Sequence, residues 1–180
     1  MLMNTHESRL DALRQELKRR GLDGFVVPIC DEHMSEYVGA YAQRLPWLTG
    51  FAGSAGSAIV LTDPTRTPAA AMFTDGRYTI QVREQVDARF YAYESVPQTS
   101  HAQWLAEHMP EGAVIGYDAW LHTPHWTRSV DAAIAAKGGK LVAVEGNPID
   151  AVWEDQPVPS PAPALVHAEE FAGQSSEAKR

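Results

Sequence analysis

Thr74-Asp75-Gly76-Arg77-Tyr78 is the stretch of this chain whose residue types make the best case for chemistry. It follows an apolar run, Ala69 to Phe73, that reads as a strand. Open α/β sheets tend to place functional groups at strand ends. Asp75-Gly76 makes a sharp turn, and Arg77 is then expected to project from the first turn of a helix over residues 77–87. A guanidinium so placed could grip a carboxylate or a carbonyl in two-pronged fashion. The competing reading is an Asp-Gly turn whose Arg77 is solvated or paired with Asp75. Spacing alone favours the competing reading.

Three other constellations are weaker. Gly50-Phe51-Ala52-Gly53-Ser54-Ala55-Gly56-Ser57 is rich in glycine, but a phosphate-binding loop follows a strand and opens a helix. Here the strand comes after the glycines. Ala52 to Gly56 resembles a nucleophile elbow, which needs the same strand-before-helix order, and no His or Asp partner for Ser54 is implied by spacing. Small residues that let the backbone turn into a strand at Ser57 are the simpler reading. Among seven histidines, His122 and His125 with Asp118 come nearest to a ligand cluster, yet they straddle an expected helix start, where polar side chains cap or meet solvent. Cys30 follows an apolar strand with no visible setting for a low pKa, so it reads as a buried, inert thiol.

These residues need a scaffold, and the pattern supplies one. A first helix is expected with Ser8 as its cap, Asp11 completing a capping box, and Leu10, Leu13 and Leu17 on one stripe. Gly21 stops it, and the basic run Lys18-Arg19-Arg20 suits the negative end of a helix dipole better than it suits nucleic acid. Strands are expected at 25–28, 57–61, 69–73, 90–93, 113–116 and 141–144, the second and third forming an antiparallel hairpin. Helices are expected at 77–87 and 100–109, and a further one is capped by Thr123 with Pro124 at its first position. Strands alternating with amphipathic helices, plus one hairpin, give an α/β fold with a mixed six-stranded sheet and flanking helices.

Composition excludes whole classes. With 44% hydrophobic and 21% charged residues the chain cannot be wholly disordered. A net charge of -8 repels phosphate backbones, which argues against nucleic acid and anionic membranes as partners. One cysteine excludes an internal disulfide framework and a Cys-rich zinc cluster. No apolar run approaches a membrane span, and Met1 to Glu7 lacks the form of a signal peptide. A soluble, cytoplasmic domain is expected.

Organisation changes after Trp153. Pro157, Pro159, Pro161 and Pro163 alternate, which makes a stiff extended linker over 156–164. Residues 1–155 read as one domain, and residues 165–180 as the truncated start of a second, related one.

Three segments carry a resemblance. They are Asp31-Glu32-His33-Met34-Ser35-Glu36-Tyr37, then Leu48 to Ala58, then Met72 to Tyr78. In this order, with the proline-rich exit after Trp153 and the stretch Phe171 to Ser176, the chain resembles the N-terminal part of the three-domain Xaa-Pro aminopeptidases. The same domain type heads creatinase and prolidase. The resemblance implies a metallopeptidase that removes an N-terminal residue preceding proline. It implies two divalent metal ions, commonly manganese, held by carboxylates and a histidine in a C-terminal catalytic domain beyond this chain. The fragment is therefore expected to be inactive alone and to hold no metal. Its implied roles are to shape substrate access and to make subunit contacts. Its implied partners are its own middle and catalytic domains, a second copy of the full-length protein, and a peptide with proline second. Arg77, with Asp75, matches the family's Asp-Gly-Arg-Tyr motif and is placed toward the active site, and His33 is a further pocket-edge candidate. The same domain type also heads a histone-chaperone subunit, so a protein-binding pseudo-peptidase module is the alternative.

Overall fold

A computed structural model describes residues 5–180; Met1–Asn4, part of the stretch read for a targeting signal, lie outside the described residues. The chain runs α1 (His6–Arg19), β1 (Gly24–Pro28), α2 (Arg44–Thr49), β2 (Ser57–Leu61), β3 (Ala70–Thr74), α3 (Gln81–Gln85), β4 (Ala92–Ser95), α4 (His101–His108), β5 (Val114–Tyr117), α5 (Pro124–Ala135), β6 (Lys140–Ala143) and α6 (Glu169–Ala172). The strands form one sheet in the order β4-β3-β2-β1-β5-β6. β2 is antiparallel to both its neighbours and the remaining pairs are parallel. The expected mixed six-stranded sheet is thus the one observed.

The central strands are buried on both faces, which is why they read as unbroken apolar runs. Their side chains still alternate. Phe25, Val27, Ala58, Val60, Ala70 and Met72 pack on one side with Leu10, Leu13 and Leu17 of α1 and Leu45 and Leu48 of α2. Val26, Ile59, Leu61, Ala71 and Phe73 pack on the other with Trp104 and Leu105 of α4 and Val130 and Ile134 of α5. The result is three layers, helix on sheet on helix.

Several boundaries differ from the sequence reading. α1 is capped by Thr5, whose hydroxyl accepts from the Ser8 backbone while Ser8 Oγ reaches back to Thr5; Ser8 is therefore the third helical residue, and Asp11 lies beyond the cap, 3.8 Å from Arg14. The helix expected over 77–87 shrinks to five residues, Gln81–Gln85, because the Asp75 carboxylate and carbonyl bind the Arg77 and Tyr78 amides and hold them in a turn. Val82 and Val86 are buried there, but Ile80 is exposed. β4 begins at Ala92 rather than Phe90, since Phe90 and Tyr91 bond back to the Asp87 carbonyl and join the sheet only at the Ala71–Ala92 pair.

The way out of the domain is braced. Arg44 of α2 forks onto Asp150 through two 2.7 Å hydrogen bonds, and Gln156 donates to Asp150 and to the Tyr41 carbonyl, each at 2.8 Å. Trp153 stacks on Trp47 with ring centroids 5.4 Å apart. Beyond Gln156 the chain has no regular structure until α6 and is exposed throughout 157–168.

Candidate functional site

The pairing directions put the C-terminal ends of β1, β3, β4, β5 and β6, and the start of β2, on one edge of the sheet. Asp75, Arg77 and His33 all lie in loops on that edge, so the fold brings together segments more than 40 residues apart in sequence by gathering strand ends.

Thr74 ends β3 buried, and Asp75 reverses the chain. Its carboxylate accepts from the Arg77 backbone N–H at 2.9 Å and from the Arg77 guanidinium, with Nη2 at 2.8 Å and Nε at 3.1 Å. The guanidinium holds the Asp75 carboxyl below the ordinary carboxylate range. Arg77 therefore lies in a turn, not on a helix. Its side chain is 64% exposed and rests 5.2 Å from the Tyr78 ring. This is the pairing with Asp75 that spacing favoured, and it leaves a solvent-facing cation fixed by a carboxylate and an aromatic face.

Tyr78 latches this turn to the glycine-rich loop. Its hydroxyl accepts from the Ser54 N–H at 3.2 Å and shares a 2.8 Å hydrogen bond with Ser54 Oγ, which lowers the phenol pKa. Phe51 meets the Tyr78 ring edge-on at 5.6 Å. A Cβ on Gly53 would stand 2.4 Å from Phe51 Cζ and 2.8 Å from Tyr78, so only glycine fits between them. No helix follows these glycines, which matches the reading of a tight turn into β2 and leaves Ser54 without a base.

The third segment is ordered by Asp31. Its buried carboxylate accepts from the Ser35 and His33 N–H groups, each at 3.0 Å, and these bonds, Ser35's foremost, keep it ionised below its usual range. The effect is to turn His33 outward, where it is 75% exposed and 3.8 Å from Glu32. Met34 takes a left-handed backbone, φ 55°. Glu36 adds to the field that stabilises the Arg77 charge. Met34, Tyr37, Ile80 and Trp120 are exposed from loops of this same edge.

Sequence reasoning missed a buried polar group just below the edge. His101 Nε2 lies 2.6 Å from Ser57 Oγ, and Trp126 Nε1 lies 2.8 Å from His101 Nδ1. An indole N–H can only donate, so Nδ1 accepts and Nε2 carries the proton. A histidine in that tautomer gives its proton to Ser57 and cannot take one, so the pair is no nucleophile and base. Burial, with His122 adding to it, lowers the His101 pKa to about 4. These partners are 44 and 25 residues from His101, and no local pattern announces them.

The metal reading of Asp118, His122 and His125 does not assemble. Asp118 spends its carboxylate on Trp120 N–H and Asn147 Nδ2, His122 Nδ1 donates to the Asp118 carbonyl at 2.9 Å, and His125 is exposed. No three side chains of His, Cys, Asp or Glu converge among the described residues. The Cys30 thiol donates to the Leu121 carbonyl and burial pushes its pKa to about 11, which makes it inert at neutral pH. The edge holds no activated nucleophile.

Comparison with known proteins bears on its role. The sequence model of the creatinase/prolidase N-terminal domain matches residues 9–152. The chain belongs to that family. Human Xaa-Pro aminopeptidase 2 is 35% identical over 99% of this chain and 26% of its own length. A probable Xaa-Pro aminopeptidase P from Paracoccidioides brasiliensis is 39% identical over 95% of this chain and 27% of its own. The crystal structure of the X-prolyl aminopeptidase of Caenorhabditis elegans, described as a cytosolic enzyme with a di-nuclear active site, superposes with a TM-score of 0.85. It is 28% identical, and the match covers 98% of this chain and 30% of the worm enzyme. The chain thus spans about a quarter of the length of the curated relatives it matches. None of the helices among the described residues is long and apolar enough to cross a membrane.

Proposed function

We propose that this creatinase/prolidase N-terminal domain serves a cytoplasmic, metal-dependent Xaa-Pro aminopeptidase, shaping access to a catalytic domain that this chain does not contain. The observation that carries the reading is the extent of the likeness. The worm X-prolyl aminopeptidase matches 98% of the chain at a TM-score of 0.85, whereas an isolated N-terminal domain of a mycobacterial peptidase covers 81% at 0.59 and shares the fold alone. The likeness to the worm enzyme thus extends past residue 152, where the family match ends.

In this reading residues 1–155 are the folded unit, 156–164 the linker and 165–180 the opening of a related second domain. The strand-end edge, with Arg77 on its rim and Met34, Tyr37, Ile80 and Trp120 exposed around it, faces the catalytic domain of the same protein or of a second copy. Arg77 and Asp75 line the approach of a peptide whose second residue is proline, and His33 stands further out on the same rim. The two metal ions, manganese by family likeness, belong to the catalytic domain and would activate the water there.

The test compares two proteins. The full-length protein is expected to hydrolyse an Xaa-Pro peptide in the presence of manganese, and the 180-residue chain alone is expected to show no hydrolysis above a metal-only control. An inactive full-length protein with intact metal binding would sink the peptidase reading in favour of a binding module. Limited proteolysis of the chain should cut first within 156–164 or beyond, where no backbone is buried. A first cut inside the β2–β3 hairpin would contradict the domain boundary.

A further inference from the structure

The opposite edge of the sheet carries a recess of about 540 Å³ that has no part in the reading above. It lies where β2 ends and β3 and β4 begin, against the middle of α1. Arg14, Arg66, Arg89 and Tyr91 are among its lining residues. We propose that this recess is a binding site for a small oxyanion, a phosphate or carboxylate group, held by the Arg14 and Arg66 guanidiniums and the Tyr91 hydroxyl.

Three observations converge. Tyr91 is only 4% exposed, and its buried hydroxyl has no hydrogen-bond partner among the described residues. A buried donor left unsatisfied costs on the order of 1–3 kcal/mol, so such groups in folded proteins normally meet a partner, and an anionic oxygen is the strongest available. Arg14 is an 11%-exposed arginine whose Nε is committed to the Leu61 carbonyl at 3.2 Å. That bond aims the guanidinium, while its nearest carboxylate, Asp11, stays at a loose 3.8 Å. Arg66 is aimed in the same way, by a 2.9 Å bond from its Nε to the His108 carbonyl, and has no carboxylate within 4 Å among the described residues. Arg89 is different, because Asp87 already neutralises it. Two guanidiniums fixed through their Nε atoms, with their outer nitrogens uncommitted to a close carboxylate, can each meet two oxygens of a phosphate or carboxylate with their planar fork. One carboxylate, Asp11, lines the recess beside the three arginines, and Asp63 lies in the field of both Arg14 and Arg66 without closing on either within 4 Å.

The experiment titrates the 180-residue chain with inorganic phosphate, and separately with acetate, against sodium chloride of equal ionic strength. It reads the thermal midpoint and the NMR shifts of the arginine Nε–H groups. Phosphate is expected to raise the midpoint beyond chloride and to move Arg14 and Arg66 signals together; the acetate arm tells whether a carboxylate serves as well. Tyr91→Phe removes a hydroxyl that no protein atom uses, so it is expected to fold at least as well as the parent. Both Tyr91→Phe and Arg66→Gln are expected to weaken phosphate binding, Arg66→Gln by roughly ten- to a hundredfold for a lost charge-assisted bond. A phosphate response no larger than that of chloride would overturn the proposal. So would one that survives intact in both variants, since the ion would then be bound elsewhere.

Discussion

Two pairs of the same side chains, each an arginine forked onto an aspartate, sit in settings that make them different devices. Arg77 and Asp75 are two residues apart on the rim, joined at 2.8 Å with the arginine 64% exposed. Arg44 and Asp150 are 106 residues apart, joined at 2.7 Å with the arginine 11% exposed. Two histidines show the same contrast. His33 faces solvent beside Glu32, while His101 is sealed between Ser57 and Trp126. Exposed pairs are worth little to stability because water screens them and long side chains lose freedom. A half-buried pair tied across the chain, with the arginine 11% and the aspartate 32% exposed, costs more when one partner is removed. The half-buried pair therefore braces the fold more than the rim pair does.

The sharpest way to break this contrast is Arg44→Ala. It leaves Asp150, itself 32% exposed, without its partner and loosens the brace on the exit segment, and the expected loss is about 1–3 kcal/mol in urea unfolding. A loss below about 0.5 kcal/mol, the range of ordinary surface changes, would erase the distinction.

Acid should expose the histidine contrast. Burial lowers His101 from its ordinary 6.5 to about 4 in the folded chain. Between those values the unfolded chain binds the extra proton, so stability is full above pH 6.5 and falls as pH drops toward 4. At about 1.4 kcal/mol per pH unit the loss totals roughly 3 kcal/mol. Glu16, held down to about 2 by Arg19 and Arg20, adds its own loss only below its ordinary 4.5. His122 and His6, also lowered by burial, add to the slope in the same range, so the slope between pH 6.5 and 4.5 should become shallower, not vanish, in His101→Gln. An unchanged slope in His101→Gln would remove the buried histidine from the account.

On the rim, Arg77→Ala should shift the stability of the isolated chain by about 0.5 kcal/mol or less. In the full-length protein it should lower kcat/KM on an Xaa-Pro peptide by roughly ten- to a hundredfold, the worth of one charge-assisted hydrogen bond. Arg77→Lys should not restore it fully, since an ammonium lacks the planar fork. Collapse of the isolated domain, or an unaltered kcat/KM, would return Arg77 to a turn residue. The smallest effect is expected from His33→Ala, within about 0.5 kcal/mol in stability and less than about threefold in kcat/KM. A larger drop than that of Arg77→Ala would invert the order of the two rim residues.

Local pattern was legible where one residue type decides the backbone. β2 occupies the expected 57–61, the β2–β3 hairpin forms, and α5 starts at Pro124 under a Thr123 cap. Reading failed where several local choices compete. Thr5 and Ser8 can each cap α1, and the choice depends on which amide the helix leaves free. The Asp75 side chain outbids helix propensity at 77–80, although Ile80 and Val82 suggested an apolar stripe.

The order of hydrophobic runs, the turn residues and the proline-rich exit were properties of the sequence, because each depends on contacts within a few residues. They suffice for the α/β class, the strand count and the likeness to the creatinase/prolidase N-terminal domain. Which polar side chains meet was decided by the tertiary structure. Ser57 finds His101, Arg44 finds Asp150, and Arg14, Arg66 and Tyr91 line one recess only because helices and sheet pack segments that are distant in sequence. The tautomer of His101, the depth of Tyr91 and the exposure of Arg77 follow from that packing, since burial and hydrogen-bond partners belong to the packed chain and not to any stretch of it.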